Sequence, residues 1–209
     1  MLKRKWLLRK WPFNRTNDFQ RFIILCDPRT GSTWLHTLLN SNPQILSYGE
    51  VLSEKDNISA LEPTIWRSHH SSIQAIGCKI FYEQLCESRF LYVFDELVSN
   101  KKIKVIDLSR EDIRATFHSL KTAEKTGDWS GGKMNKEIEV PFEEKEFDLH
   151  VYKSNENRSK VLKALNQHDL LSLSYEELVK DQTLQLNKLQ RFLGLTPVSL
   201  FSLLQKQSK

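Results

Sequence analysis

The densest chemistry in the sequence lies in Asp27-Pro28-Arg29-Thr30-Gly31-Ser32-Thr33-Trp34. A guanidinium, three hydroxyls and a glycine stand together at positions 29 to 33. Phe22-Ile23-Ile24-Leu25-Cys26 before them is an apolar run of strand length, as suits a parallel strand covered on both faces. After them a helical pattern puts Trp34, Leu35, Leu38 and Leu39 on one face, and Ser41-Asn42-Pro43 ends it. Strand, tight turn and helix together can hold a phosphate-like anion. The helix start offers unbonded backbone N–H groups and partial positive charge. Gly31 permits close backbone approach, and Arg29 adds fixed charge with a bidentate fork. Thr30, Ser32 and Thr33 can donate from hydroxyls, and Trp34 from its backbone N–H, its indole being better suited to the core. The turn is neither GxxxxGK[ST] nor GxGxxG, which disfavours a Walker-type NTPase and a dinucleotide turn. On these residues alone, an anion cradle and a connecting loop with a Ser/Thr cap both stay open.

The surrounding pattern alternates strands and helices, as a parallel α/β sheet requires. Further strands are expected at Ala75 to Phe81, Ile103 to Leu108 and Leu170 to Leu173. Ser109-Arg110-Glu111-Asp112 reads as a capping box opening a helix with Ile113, Phe117 and Leu120 inward. Residues 143 to 166 read as helix. Ser174-Tyr175-Glu176-Glu177 is a second capping box, and the helix through Leu186, Leu189, Phe192 and Leu193 closes at Gly194. Gly127 to Phe142, polar and aperiodic, reads as a long surface loop, where acceptor contacts are expected. Trp129 within it suits either covering the site or simple burial.

With 209 residues, 39% hydrophobic and 27% charged, the chain fits one soluble domain. The expected division is a basic, aromatic arm at 1–20 and a single domain at 21–209. Met1 to Phe13 reads either as an ordinary terminal arm or as a short amphipathic segment in weak contact with anionic lipid. The net charge of +5 suits an anionic ligand. No nucleic-acid-binding signature accompanies it, so nucleic acid is not an expected partner. The three cysteines, Cys26, Cys78 and Cys86, form no CxxC and no zinc-ligand spacing. Cys26 and Cys78 read as buried thiols; a reducing, cytoplasmic location follows, and no metal is expected.

The segment FIILCDPRTGSTWLHTLLNSNPQILSYGEVL resembles the 5′-phosphosulfate-binding segment of sulfotransferases that use PAPS (3′-phosphoadenosine 5′-phosphosulfate). It is similar to the bacterial branch that includes nodulation-factor and lipopolysaccharide sulfotransferases. Three more stretches match in family order. Ala75 to Phe81 resembles the Gly-x-Lys strand, and Val105 to Arg110, continuing to Lys121, resembles the 3′-phosphate segment. Ser174 to Leu178 with Arg191 to Leu195 resembles the C-terminal signature. The resemblance spans about residues 21 to 206. It implies a P-loop-like three-layer α/β sandwich around a parallel sheet. The implied activity is O-sulfation of a carbohydrate or glycolipid hydroxyl, with PAPS as donor and PAP (3′-phosphoadenosine 5′-phosphate) as product, without a metal.

The resemblance also implies roles. Arg29, Thr30, Gly31, Ser32, Thr33 and Trp34 hold the 5′ phosphosulfate. Arg110 and Ser119 bind the 3′ phosphate, with Thr116 and His118 as rivals of Ser119. Glu50, in Tyr48-Gly49-Glu50, corresponds to the glutamate base of some carbohydrate sulfotransferases; His36, His69 and His70 are alternatives. Arg29, then Lys79, are the groups expected to meet charge growing on the leaving oxygen. Two other readings stand beside this one. A small nucleotide kinase would need a turn lysine that this sequence lacks. A non-catalytic nucleotide-binding member is suggested by an ending just after Leu203-Leu204-Gln205-Lys206-Gln207, where relatives often continue.

Overall fold

The computed structural model describes residues 14–52, 60–129 and 140–202. The segment 1–13, the centre of the 127–142 loop and the 203–207 stretch lie wholly or partly outside them. The first long strand is β2 (Gln20–Cys26); a short β1 (Arg15–Thr16) precedes it and pairs antiparallel with β4 (His69–His70). The main sheet has five strands in the order β3-β5-β2-β6-β7, with every neighbouring pair parallel. Its other members are β3 (Ile45–Glu50), β5 (Ala75–Phe81), β6 (Lys104–Ser109) and β7 (Leu170–Ser174).

The helices are α1 (Ser32–Ser41), α2 (Tyr82–Cys86), α3 (Leu91–Ser99), α4 (Ile113–Thr126), α5 (Glu144–Ala164), α6 (Tyr175–Lys180) and α7 (Gln182–Phe192). Alternation along β2 splits the core in two. Ile23 and Leu25 face Leu97 of α3 and Val161 of α5. Phe22, Ile24 and Cys26 face Leu35 and Leu38 of α1 and Leu189 of α7. The result is the expected sandwich of helices, sheet and helices. Full burial on both faces explains why β2 reads as an unbroken apolar run.

From β2 the chain moves outward to β3, returns to β5, then crosses to β6 on the other flank. That reversal lies at the carboxyl end of β2, the position where open parallel sheets bind ligands. Gly77 lets β5 lie close to β2: a Cβ there would meet the Phe22 carbonyl oxygen at 2.2 Å.

The start of α4 differs from the sequence expectation. Asp112, not Ser109, caps it, the Asp112 Oδ1 accepting from the Ala115 N–H at 2.9 Å. Ser109 is still in the sheet, with its hydroxyl donating to the Leu173 carbonyl at 3.4 Å. Ile113 is consequently exposed, whereas Phe117 is buried. The capping box at Ser174 is present as expected: Glu177 N–H donates to Ser174 Oγ at 3.1 Å, and Ser174 N–H to Glu177 Oε2 at 2.9 Å. Cys26 and Cys78 are buried and free, and Cys86 is free and half-buried. No helix among the described residues is long and apolar enough to cross a membrane.

Candidate functional site

The turn after β2 is built from two left-handed residues. Gly31 has φ +85° and caps α1 without any side-chain cap, and the first turn of α1 holds no acidic residue. Arg29 has φ +67°. For a non-glycine residue that conformation costs about 1–3 kcal/mol and is retained where the surroundings over-determine it. A Cβ on Gly31 would stand 2.6 Å from the Tyr175 ring, so Gly31 is fixed by space as well as by backbone.

Of the turn's hydroxyls, two face inward. Thr30 Oγ1 donates to the Asp27 carbonyl at 2.9 Å, and Thr30 and Ser32 are both buried. Both also sit against the Cys26 thiol, which burial pushes up to about 11 while Ser32, Lys79 and Thr30 pull the other way. Thr30 and Ser32 therefore brace the turn, and what they offer a ligand is backbone. Thr33 is exposed. Trp34 is buried in the core, as expected, with its ring edge-on to Tyr175 at 6.0 Å.

Arg29 and the two residues expected at the 3′ phosphate come together. Arg29 Nε donates to Ser119 Oγ at 2.9 Å, and Arg29 Nη1 to the Trp129 carbonyl at 2.6 Å. Arg110 Nη1 donates to the Arg29 carbonyl at 3.2 Å. The Arg110 guanidinium lies 4.8 Å above the Tyr175 ring, and its Nε is buried with no hydrogen-bond partner among the described residues. Burial, and then the neighbouring Arg110, push the Arg29 pKa below its ordinary value, while Asp128 supports it. One guanidinium on a serine hydroxyl, with a second bonded to the same residue's backbone and carrying an unmet buried donor, fits a phosphate group. The rivals of Ser119 are placed elsewhere. Thr116 Oγ1 donates to the Asp112 carbonyl at 2.8 Å, and His118 is exposed.

Across the turn lies the second grouping. Lys79 is buried and pairs through Nζ with Glu50 Oε2 at 3.3 Å. Gln84 Nε2 donates to Glu50 Oε1 at 3.4 Å and to the Leu52 carbonyl at 2.5 Å. The register of β3 on β5 shifts between Tyr48 and Glu50, and this irregularity sets Glu50 opposite Lys79.

His69 and His70 lie on β4 at the amino ends of β2 and β5, since the Ile73 N–H just before β5 donates to the His70 carbonyl at 2.9 Å. Seven residues of β2 separate that end from the turn, roughly 20 Å. His36 shares a 2.9 Å hydrogen bond between Nδ1 and Ser47 Oγ, and its ring borders Gly49. Glu50 is thus the carboxylate that the sheet sets beside Lys79.

Sequence reading missed two features. One is Tyr175, whose ring forms a wall over Gly31 and under Arg110. The other is the polar stripe of α5. Ser154 Oγ donates to Asp27 Oδ2 at 2.5 Å. One turn on, Arg158 binds Asp107 through Nη2 to Oδ2 at 2.6 Å and Nε to Oδ1 at 3.2 Å; Tyr82 and Ser172 also donate to Asp107. One turn back, His150 packs on Phe117 at 4.7 Å. A one-turn spacing of His, Ser and Arg is the signal that was available in the sequence. Burial raises the Asp27 pKa and lowers that of His150. Burial, then the negative charges of Asp27, Glu87 and Glu50, raise the pKa of Glu83. The stripe anchors α5 under the turn.

The sulfotransferase domain family matches residues 19–208. Nodulation protein H of Rhizobium tropici is 30% identical over 197 residues, covering 87% of this chain and 78% of that protein. Nodulation protein H of Rhizobium meliloti is 27% identical over 193 residues, with coverages of 83% and 76%. Among solved structures, mouse sulfotransferase SULT7A1 complexed with PAP superposes with a TM-score of 0.54 at 19% identity. That alignment covers 93% of this chain but only 64% of the mouse one, and at this identity it speaks for the fold. The match over nearly the whole chain, on a sheet that carries its glycine turn at the strand reversal, places this protein in the sulfotransferase family.

Proposed function

We propose that this chain transfers the sulfuryl group of PAPS to a hydroxyl of a carbohydrate or glycolipid acceptor. The observation that carries the reading is the gathering of Arg29, Arg110 and Ser119 beside the Gly31 turn, with the Lys79–Glu50 pair on its other side. The first grouping suits a nucleotide phosphate. The second suits the reacting end. Glu50 takes the proton of the acceptor hydroxyl as its oxygen bonds to sulfur. The sulfur–oxygen bond to the 5′ phosphate breaks, and PAP leaves with the electron pair. Arg29, Lys79 and the first-turn amides of α1 meet the charge growing on that oxygen.

The acceptor class is supported by the nodulation protein H relatives together with the resemblance to the carbohydrate-modifying branch. Three free cysteines support a cytoplasmic location. The test is transfer of radiolabelled sulfur from PAPS to a panel of chito-oligosaccharides and glycolipids, with EDTA present. Labelled product is expected. PAP binding with no transfer to any acceptor supports the non-catalytic reading. Magnesium-dependent phosphoryl transfer from ATP supports the kinase reading.

A further inference from the structure

Glu50 and Lys79 stand on different strands, and one buried side chain reaches the ends of both. Gln84 is the third residue of α2, and its amide joins three partners. Its Oε1 accepts from the Phe81 N–H at 2.8 Å, at the end of β5. Its Nε2 donates to the Leu52 carbonyl at 2.5 Å, just past β3, and to Glu50 Oε1 at 3.4 Å. We propose that Gln84 is a positioning residue for sulfuryl transfer, holding the Glu50 carboxylate in place to take the acceptor's proton. This assignment rests on the reading of Glu50 as the base and deepens it.

Three observations support it. The Phe81 N–H needs an oxygen and the Leu52 carbonyl needs an N–H, so the amide cannot turn over, and its second N–H is left for Glu50. Each oxygen of Glu50 then has one partner, Gln84 on Oε1 and Lys79 Nζ on Oε2 at 3.3 Å, while the carboxylate stays partly open to solvent. Finally, the ladder between β3 and β5 shifts register between Tyr48 and Glu50 and ends at the Glu50–Lys79 pair. Beyond that point Gln84, through Leu52, supplies the tie that the ladder no longer makes. The charged groups facing Glu50 are Lys79 from β5 and Glu83 from α2, and the His36 ring of α1 borders the adjoining Gly49.

The residue type fits this role. Glutamate or glutamine three residues into a helix can accept from the N–H of the capping residue equally well. Only glutamine adds two N–H donors, and here both are used on the β3 side. The same bond to Phe81 steadies the ring that lies 4.8 Å from Lys79 Nζ, so Gln84 touches the surroundings of both members of the pair.

The test measures kcat against pH in the wild type, Gln84→Glu and Gln84→Met, with PAP titration counting the folded sites. Gln84→Glu keeps an oxygen for the Phe81 N–H. Protonated, it donates to Leu52 and has no hydrogen left for Glu50; ionised, it opposes the charge on Glu50. Either state should move the acid limb of kcat to higher pH by about one unit, with PAP affinity within about threefold of wild type. Gln84→Met loses all three bonds and should lower kcat per folded site about tenfold. In a Glu50→Gln background the same change should cost less than about twofold, because the two residues act as one unit. An acid limb that stays in place, with kcat falling only as the folded fraction falls, makes Gln84 a helix cap alone; it overturns the assignment and leaves Glu50 as the base. An undiminished kcat in Glu50→Gln overturns the reading of the base, and this assignment with it.

Discussion

Glu50 and Lys79 face each other across two parallel strands, 3.3 Å from carboxylate to ammonium, beside the turn that ends the neighbouring strand. Lys79 is the buried member, and Glu50 is the one open to an incoming hydroxyl, its side chain 36% exposed. Glu50→Gln keeps the shape and the Gln84 contact but removes the base. It should lower kcat by about a hundredfold or more while leaving PAP affinity near that of the wild type. Lys79→Ala should also lower kcat, through the leaving oxygen. Steady-state kinetics with PAPS, alongside a PAP titration, separate these effects. An undiminished kcat in Glu50→Gln removes Glu50 from proton transfer.

Gly31 is confined twice, by its φ of +85° and by the Tyr175 ring at 2.6 Å from any added Cβ. Gly31→Ala should therefore destabilise the fold by more than about 1 kcal/mol and weaken PAP binding. Adding Tyr175→Ala removes the clash but not the backbone strain, so the double variant should recover only part of the stability. Urea denaturation of the three proteins checks this. Full recovery would mean that the left-handed backbone carries no cost.

Asp27 supplies a pH signature. Burial raises its pKa, against the pull of the Ser154 hydroxyl. A carboxyl whose folded pKa is raised favours folding when protonated. Its contribution is present below the unfolded value of 3.8 and is lost as pH rises through the higher folded value. Asp27→Asn can still accept from Ser154 and cannot ionise. The stability of Asp27→Asn relative to wild type should therefore increase between about pH 3.5 and about pH 7.5. Denaturation at both pH values measures it. A relative stability that falls over that interval would mean that burial does not govern the Asp27 carboxyl.

What the sequence made legible was local. β2, its turn and α1 follow from an apolar run, a glycine and a spaced apolar face, all within residues 20–41. β5 spans Ala75–Phe81 as read, because both its faces are buried, and Ser174 caps α6 through residues three apart. β3 was harder to see: Ile45–Glu50 carries the polar Ser47 at a buried position and a half-buried Gly49, and lies at the sheet edge. The Asp27–Ser154 contact joins residues 127 apart, and nothing near either residue announces it. The direction of Arg29 was equally hidden. Its residue type marks an anion site, but only the path of α4 sets its side chain against Ser119.

The Gly31 turn and the Arg110–Ser119 group together are expected to hold a nucleotide bearing both a 5′ and a 3′ phosphate, and every role proposed above depends on that. Calorimetric titration of the wild-type protein with PAP in EDTA tests it most directly. Saturable, metal-independent binding is expected, at least about tenfold tighter than that of adenosine 5′-phosphate. Absence of PAP binding, or binding that requires magnesium and shows no preference for the 3′ phosphate, would contradict it.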